Sequence, residues 1–270
     1  MKKNKRGFTL AKVLICLVVI GVIMAVSVLT MKIGFPTTTK KSPEGIRLTY
    51  IGHSGFFIEK NLDGILIDPF ITGNPNTNFD YKKKRISHIF VTHAHLDHLG
   101  DAIAISKHTN APIVAPFELA NFCIDKGAKA IGINPGANLT FNWGSARVVN
   151  AVHSSSNPDL PYGGTPVGYL FDIDGTTIYH AGDTALMSDF SLIGELYNPY
   201  YALLPIGGLY TMGIEEAAVA AKMLYAKEVI PMHYNTFPQI KVDVTKFVDL
   251  LEAQGQKCLP LKANEYVELW

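Results

Sequence analysis

Six residues, His93-Ala94-His95-Leu96-Asp97-His98, constrain this 270-residue chain more than any other stretch. They follow an apolar run, SHIFVT (87–92), that reads as a strand. His93 and His95 are two apart, so an extended chain points both to one side. Asp97 and His98 come as the chain turns into a helix expected near Asp101. Two side chains can then reach one ion and two a second. Imidazole nitrogen and carboxylate oxygen are zinc ligands. A surface histidine cluster at a helix start is the bland alternative. Four ligand types in six positions directly after a buried-type strand argue against it.

Two ions need more ligands, and those should come from other strand ends. His153 closes ARVVNAVH, Asp183 closes TTIYHAGD and His233 closes EVIPMH. Each alone is weak, because a strand-end histidine is usually structural. Together they complete a set of seven: His93, His95, Asp97, His98, His153, Asp183 and His233.

The rest of the body supports a mixed α/β layered protein. Strands fit IRLTYIG, GFFIE, DGILIDPF, APIVAP, GYLFDI, YALLPIG and KEVIPMH. Helices fit DAIAISKH, FELANFCIDKG, GIEEAAVAAKMLYA and DVTKFVDLLEAQG. In the last, Phe247, Leu250 and Leu251 share a face, Asp243 caps the start and Gly255 ends it. Strand blocks alternate with single helices but contain hairpins, which excludes a pure βαβ barrel. Two stretches repeat one arrangement: an apolar strand, an Asp-Gly turn, a second strand, then an aspartate, Asp68 in one and Asp183 in the other. An Asp-Gly turn between strands signals a hairpin, so the chain carries a weak internal duplication.

Charge is unevenly placed. The first 43 residues hold eight Lys or Arg and no acid, which leaves 16 basic against 23 acidic residues from Glu44 onward, a net charge of −7. A negative body argues against a nucleic-acid partner. Val13–Met31 runs without a charge, and about 20 apolar residues cross a bilayer as a helix. MKKNKR precedes it and should stay cytoplasmic, which puts the body outside. A signal peptide cleaved after Ala25-Val26-Ser27 is the rival reading. The expected organisation is a cytoplasmic tail and transmembrane helix at 1–34, a polar linker at 35–45 and a folded domain at 46–270. GFTLAKVLICLVVIG also resembles the type IV prepilin leader, but Lys12 stands where that family carries Glu. It is read as an anchor only. The three cysteines, Cys16, Cys123 and Cys258, form no CxxC pair.

The order His-x-His-x-Asp-His, then His, Asp and His, resembles the metallo-β-lactamase superfamily. YIGHSGFFIE, ILIDPFITGNP, VTHAHLDHLGD, YGGTPVGYLF, IYHAGDT, LPIGGLYTMG and VIPMHYNTFP are similar to its metal-dependent hydrolases related to ascorbate-6-phosphate lactonase. The likeness runs from Ile46 to the C-terminus. It implies an αββα sandwich of two mixed β-sheets flanked by helices, with the site at one edge between the sheets. It implies that His93, His95 and His153 hold one metal, that Asp97, His98 and His233 hold a second, and that Asp183 bridges them. Two divalent ions are expected, zinc first, with manganese or iron tolerated by the same donors. Asp68, the pseudo-equivalent of Asp183, is expected either to orient a ligand or simply to cap a turn before Pro69.

The expected chemistry is hydrolysis of a small-molecule ester, lactone or similar bond by a hydroxide shared between two metals. Asp97 both ligates and orients that hydroxide. His53, in GHSGF, is expected to touch substrate or donate a proton, with a loop-bonding role as its structural counterpart. His88, His108 and His180 read as structural. The Gly/Pro/Ser-rich stretch 154–164 is the candidate substrate loop. YKKKR (81–85) reads as a solvated face that could meet anionic headgroups. A phosphodiesterase or phospholipase D-like hydrolase at the membrane is one alternative. A non-catalytic membrane-tethered metal-binding scaffold is another. The di-iron redox branch of the fold carries Glu where this chain has His95, which favours hydrolysis.

Overall fold

A computed structural model describes residues 45–270. The expected anchor and nearly all of the expected linker lie outside the described residues. Among the described residues no helix is long and apolar enough to cross a membrane.

The described residues open with three antiparallel strands, β1 (Ile46–Gly52), β2 (Gly55–Lys60) and β3 (Asp63–Ile67), followed by β4 (His88–Phe90) parallel to β3. Two helices follow, the single-turn α1 (Leu96–Leu99) and α2 (Ala102–Thr109). Next come β5 (Ile113–Pro116), α3 (Phe117–Asp125) and β6 (Ala130–Ile133), which extend the parallel part of the sheet. The second half opens with β7 (Asn138–Phe141), β8 (Gly144–Asn150), β9 (Val167–Ile173) and β10 (Thr176–His180). After α4 (Asp189–Tyr197) come β11 (Tyr201–Pro205), α5 (Ile214–Met223), β12 (Glu228–Met232), α6 (Val244–Ala253), β13 (Lys257–Cys258) and β14 (Tyr266–Leu269).

Two seven-stranded sheets result, ordered β14-β1-β2-β3-β4-β5-β6 and β7-β8-β9-β10-β11-β12-β13. Each has the same sequence of pairings. Three antiparallel neighbours (β14/β1, β1/β2, β2/β3 and β7/β8, β8/β9, β9/β10) are followed by three parallel ones. The duplication expected from one hairpin therefore extends over six consecutive strands of each half, β1–β6 and β8–β13. β3, which ends at Asp68, corresponds to β10, which ends toward Asp183.

Alternation sets the layers. Phe56, Ile58, Ile65 and Ile67 enter the core shared with β8–β12, while Phe57 and Leu66 on the opposite face enter a second core with α2 and α3. The first core continues through the second sheet to Phe190 of α4, Ala217 and Ala221 of α5, and Phe247 of α6. The order is therefore helix, sheet, sheet, helix, as the αββα expectation requires. Asp243 caps α6 by accepting from the amide of Thr245, and Phe247 and Leu251 bury its apolar stripe. Leu250 lies off that stripe and is exposed.

One turn differs from its expectation. In the second hairpin Asp174-Gly175 forms the turn, with both residues at positive φ. In the first, Lys60 pairs with Asp63, so the turn is Asn61-Leu62 and Gly64 lies within β3. Gly64 serves close packing there, since a Cβ would stand 2.0 Å from the Arg85 carbonyl oxygen. Cys123 and Cys258 are both free thiols.

Candidate metal centre

β1, β3, β4, β8, β10, β11 and β12 all run toward the same edge of their sheets, because each antiparallel step is followed by its reverse. Every functional side chain follows the carboxyl end of one of them. His53 follows β1, Asp68 follows β3, and His93 follows β4. His153, Asp183 and His233 follow β8, β10 and β12. Ligand sites in open α/β sheets form at such ends. α1 is a single turn that presents Asp97 and His98, and His95 is its extended N-cap residue. Gly100 ends it at φ +43, with the backbone so close to Pro69 that a Cβ would stand 2.4 Å from its carbonyl oxygen. Asp101 then accepts from the amides of Ile71 and Thr72 and from the Thr72 hydroxyl, which fastens the turn to the loop after β3.

All seven expected ligands meet. Donor atoms of His93, His95 and His153 lie within 4.8 Å of one another, as do those of Asp97, His98 and His233, a group that His53 joins. His93, His98 and Asp183 form a third such group, linking the other two. Asp183 Oδ2 stands 3.2 Å from His98 Nε2, 3.5 Å from His153 Nε2 and 3.0 Å from His233 Nε2. Two ligands about 2.0–2.1 Å from one ion in tetrahedral array are roughly 3.3 Å apart, so these spacings are those of coordination edges.

The surroundings fit a cation as well. Among the described residues, five buried side-chain nitrogen or oxygen atoms lack a hydrogen-bond partner, and three are here: Asp183 Oδ1, His98 Nε2 and His233 Nδ1. Leaving such groups unpaired is costly. Burial pushes Asp183 toward the neutral acid, but His233 and His98 outweigh it and hold the carboxyl well below the usual range. Burial likewise raises Asp97, and the His53 hydrogen bond with the His98 charge overcomes it. Burial lowers His93 far below the ordinary histidine value and lowers His95 and His153 as well. Ionised carboxylates beside neutral His93, His95 and His153 are the protonation states that metal ligands need, while His98, between Asp68 and Asp183, holds a proton that a bound ion would displace.

Three of the eleven non-glycine residues at positive φ among the described residues lie at this edge. His53, Asp68 and His233 all have positive φ, at 59°, 40° and 54°. Non-glycine residues in that region cluster at functional sites. The His233 amide donates to the His53 carbonyl at 2.7 Å, so the loops after β1 and β12 are joined across the two sheets.

Residues 47–233 match the profile of the family described as "Beta-lactamase superfamily domain". A UPF0173 metal-dependent hydrolase of Anoxybacillus flavithermus is 45% identical over 228 residues, 83% of this chain and 100% of that protein. A UPF0173 metal-dependent hydrolase of Bacillus mycoides is 47% identical, with the same coverage. The chain belongs to the metallo-β-lactamase superfamily, within the UPF0173 metal-dependent hydrolases. Among solved structures, Igni18, a metallo hydrolase from the archaeon Ignicoccus hospitalis, superposes with a TM-score of 0.78 at 40% identity, covering 84% of this chain and 99% of that one.

Within this superfamily member, several supporting residues carry no sequence signal beyond standing next to a ligand. The Thr92 hydroxyl donates to Asp68 Oδ2 at 2.7 Å, and its amide donates to Asp68 Oδ1. Thr184 Oγ1 accepts from the Val152 amide, tying the loop of His153 to that of Asp183. Thr236 Oγ1 lies 3.0 Å from His53 Nδ1, whose other nitrogen is 3.0 Å from Asp97 Oδ2. Asp68 contacts His98 Nδ1 at 2.8 Å, the ligand-orienting alternative rather than simple turn capping. His53 is wholly buried behind Asp97, against the rings of Phe70 and Phe237. The structural histidines are as expected: His180 bonds the Ser54 carbonyl, His88 accepts from Trp143, and His108 packs on Tyr81.

Proposed function

We propose that this chain hydrolyses a small-molecule ester, lactone or similar bond, with two divalent ions held as the resemblance implies. His93, His95 and His153 hold one, Asp97, His98 and His233 the other, and Asp183 both. The observation that carries this reading is the approach of a single oxygen, Asp183 Oδ2, to imidazoles from both groups. When bound, the ions would bring the pKa of shared water to about 7 and polarise the substrate oxygen.

The chain's own residues supply placement. Asp97 is the one carboxylate of the set that is appreciably open to the cleft. One of its oxygens is fixed by His53, and the carboxylate would hold the second ion and orient the attacking water. His53, buried and held by Thr236, acts through Asp97 as a positioning residue. Zinc is the first expectation, with manganese and iron next.

The apolar run at 13–31, with its basic flank, supports a single-pass anchor with the catalytic domain outside the cytoplasm. Protease added to intact cells should then remove the domain and leave the N-terminus protected. The hydrolase reading is tested by elemental analysis of natively purified protein and a panel of esters, lactones, thioesters and phosphodiesters with and without chelator. Two ions per chain and chelator-sensitive turnover of a carbonyl substrate are expected. Full metal occupancy with no turnover would favour the scaffold, and turnover of phosphodiesters alone the membrane phosphodiesterase.

A further inference from the structure

The segments around the histidine-aspartate cluster expose apolar side chains. Six exposed side chains stand on the loops that carry or touch the ligands: Leu96, Val152, Tyr162, Leu186, Leu209 and Tyr210. Leu96 lies between His95 and Asp97, and Val152 precedes His153. Leu186 follows Asp183 on a loop whose Ala185 amide donates to the Val152 carbonyl. The Tyr162 loop is pressed onto the cluster: the Gly163 amide donates to the Ser155 carbonyl, and a Cβ on Gly163 would stand 2.3 Å from Ala94 Cβ. The Leu209-Tyr210 loop is anchored at both ends. The Met212 amide donates to the Thr184 carbonyl, and Gly207 approaches the His233 carbonyl so closely that a Cβ would lie 2.3 Å from it.

Two further features separate this rim from ordinary surface. Residues 151–164, 184–188 and 206–213 contain no Lys or Arg. Their one acid, Asp159, pairs with Lys126 outside the rim. These segments themselves offer no cationic side chain to a second phosphate or a sugar acid. Leu209 is also held at φ +51 with 73% of its surface exposed. A branched apolar residue gains nothing by itself from a strained, solvated position, whereas it gains contact area if a ligand covers it.

We propose that this rim receives an aliphatic or aryl group of the substrate, so that the molecule hydrolysed is an amphiphile: an acyl or alkyl ester with its polar, scissile end at the ions. The proposal rests on the hydrolase reading for the orientation of the substrate, but the contact is tested by binding alone. Methyl-, butyl- and octylphosphonate, each below its aggregation concentration, are titrated into the metal-loaded full-length protein by calorimetry. A buried methylene contributes about fourfold in affinity, and partial burial of seven predicts octylphosphonate at least about 30-fold tighter than methylphosphonate. The gain should carry a negative heat-capacity change. Leu209→Ser with Tyr210→Ser should collapse the octyl-to-methyl ratio. Leu62→Ser, at an equally exposed leucine on the remote β2–β3 turn, should keep it.

Equal affinities across the series would overturn the proposal and leave the rim as a surface for lipid or protein contact. Such a result would leave the hydrolase reading intact. Loss of turnover on every ester with chain-length-dependent binding preserved would sink the hydrolase reading instead.

Discussion

Asp68 Oδ2 lies 2.8 Å from Nδ1 of His98, with both side chains fully buried. The same imidazole turns its Nε2 toward Asp183. Burial alone would lower the pKa of His98, but the charges of Asp183 and Asp68 outweigh it and hold the ring well above the ordinary histidine value. One ring is thus clamped between the aspartates that end β3 and β10, the corresponding strands of the two halves. In the proposed centre one aspartate is the outer support and the other the shared ligand. Outer carboxylates of this kind fix the tautomer and raise the basicity of a metal-binding histidine.

Asp68→Asn should therefore weaken the ion at His98 without removing any ligand. The expected loss is about 10–100-fold in affinity, read by competition against a chelator of known strength. The ion at His93, His95 and His153 should be lost later in the same titration. Equal release of both ions would show that Asp68 supports the whole edge rather than one ligand.

Asp183→Asn removes the one oxygen near imidazoles of both groups. Metal content should drop by at least one ion per chain, and turnover by more than the roughly 100-fold that an outer-sphere loss causes. The folded core should survive, since the side chain is surrounded by histidines rather than by packed aliphatics. Elemental analysis and far-ultraviolet circular dichroism on the same sample separate the two effects.

The proposed ligands are legible because His93, His153, Asp183 and His233 follow closely on apolar strands, where a polar side chain has no packing reason to be, and His95, Asp97 and His98 crowd behind the first of them. Asp68 was legible through the repeat, though the repeat itself showed only as a hairpin. The extent of the duplication was hidden in its short edge members. β13 has two residues, too few for any period, and the alternation of β7 runs over only four residues. β6, β14 and α4 carry weak signals for other reasons: three of the four positions in each of the two strands are exposed or half-buried, and α4 holds a glycine, Gly194, in its interior. Asp63-Gly64 imitated a turn because an Asp-Gly pair suits one, while the packing of Phe57 and Arg85 against Gly64 assigns the glycine to a strand. Thr92, Thr184 and Thr236 could not be singled out, since a threonine beside a ligand looks like any other until its hydroxyl has a partner.

Acid should destabilise the metal-free protein well above the pH of ordinary carboxylate titration. Burial, reinforced by His233, lowers His53 to about 4, against about 6.5 in an unfolded chain. Between those values the unfolded chain binds a proton that the folded one refuses, so stability falls as pH falls. His53 alone contributes about 2 kcal/mol of loss between pH 7.5 and 5, and His93, His95 and His153 act in the same direction. His98, raised, is already protonated in the folded chain, so proton uptake by the unfolded chain near 6.5 works the other way there and offsets part of the loss. Urea midpoints in chelator at pH 7.5, 6 and 5 should decline steadily, and His53→Gln should flatten the decline. A midpoint independent of pH would contradict the burial of these rings.

Two adjacent glycines should differ in what the same added methyl does to metal binding. Gly207 has no room: its Cβ would stand 2.3 Å from the His233 carbonyl oxygen and 2.9 Å from Ile240 Cβ. Gly207→Ala must push the segment after β12, whose His233 amide also bonds His53. The expected result is about 1–3 kcal/mol of lost stability, together with loss of the ion that His233 helps to hold. Gly208 has φ +67 but open space, with Gly213 Cα at 3.9 Å as its nearest neighbour. Gly208→Ala meets only the strain of a left-handed alanine, about 1 kcal/mol, and should keep its full metal complement. Thermal midpoints and metal content measured on both variants decide the matter: metal loss in Gly208→Ala, or none in Gly207→Ala, would mean that His233 is not positioned by the loop packed against its carbonyl.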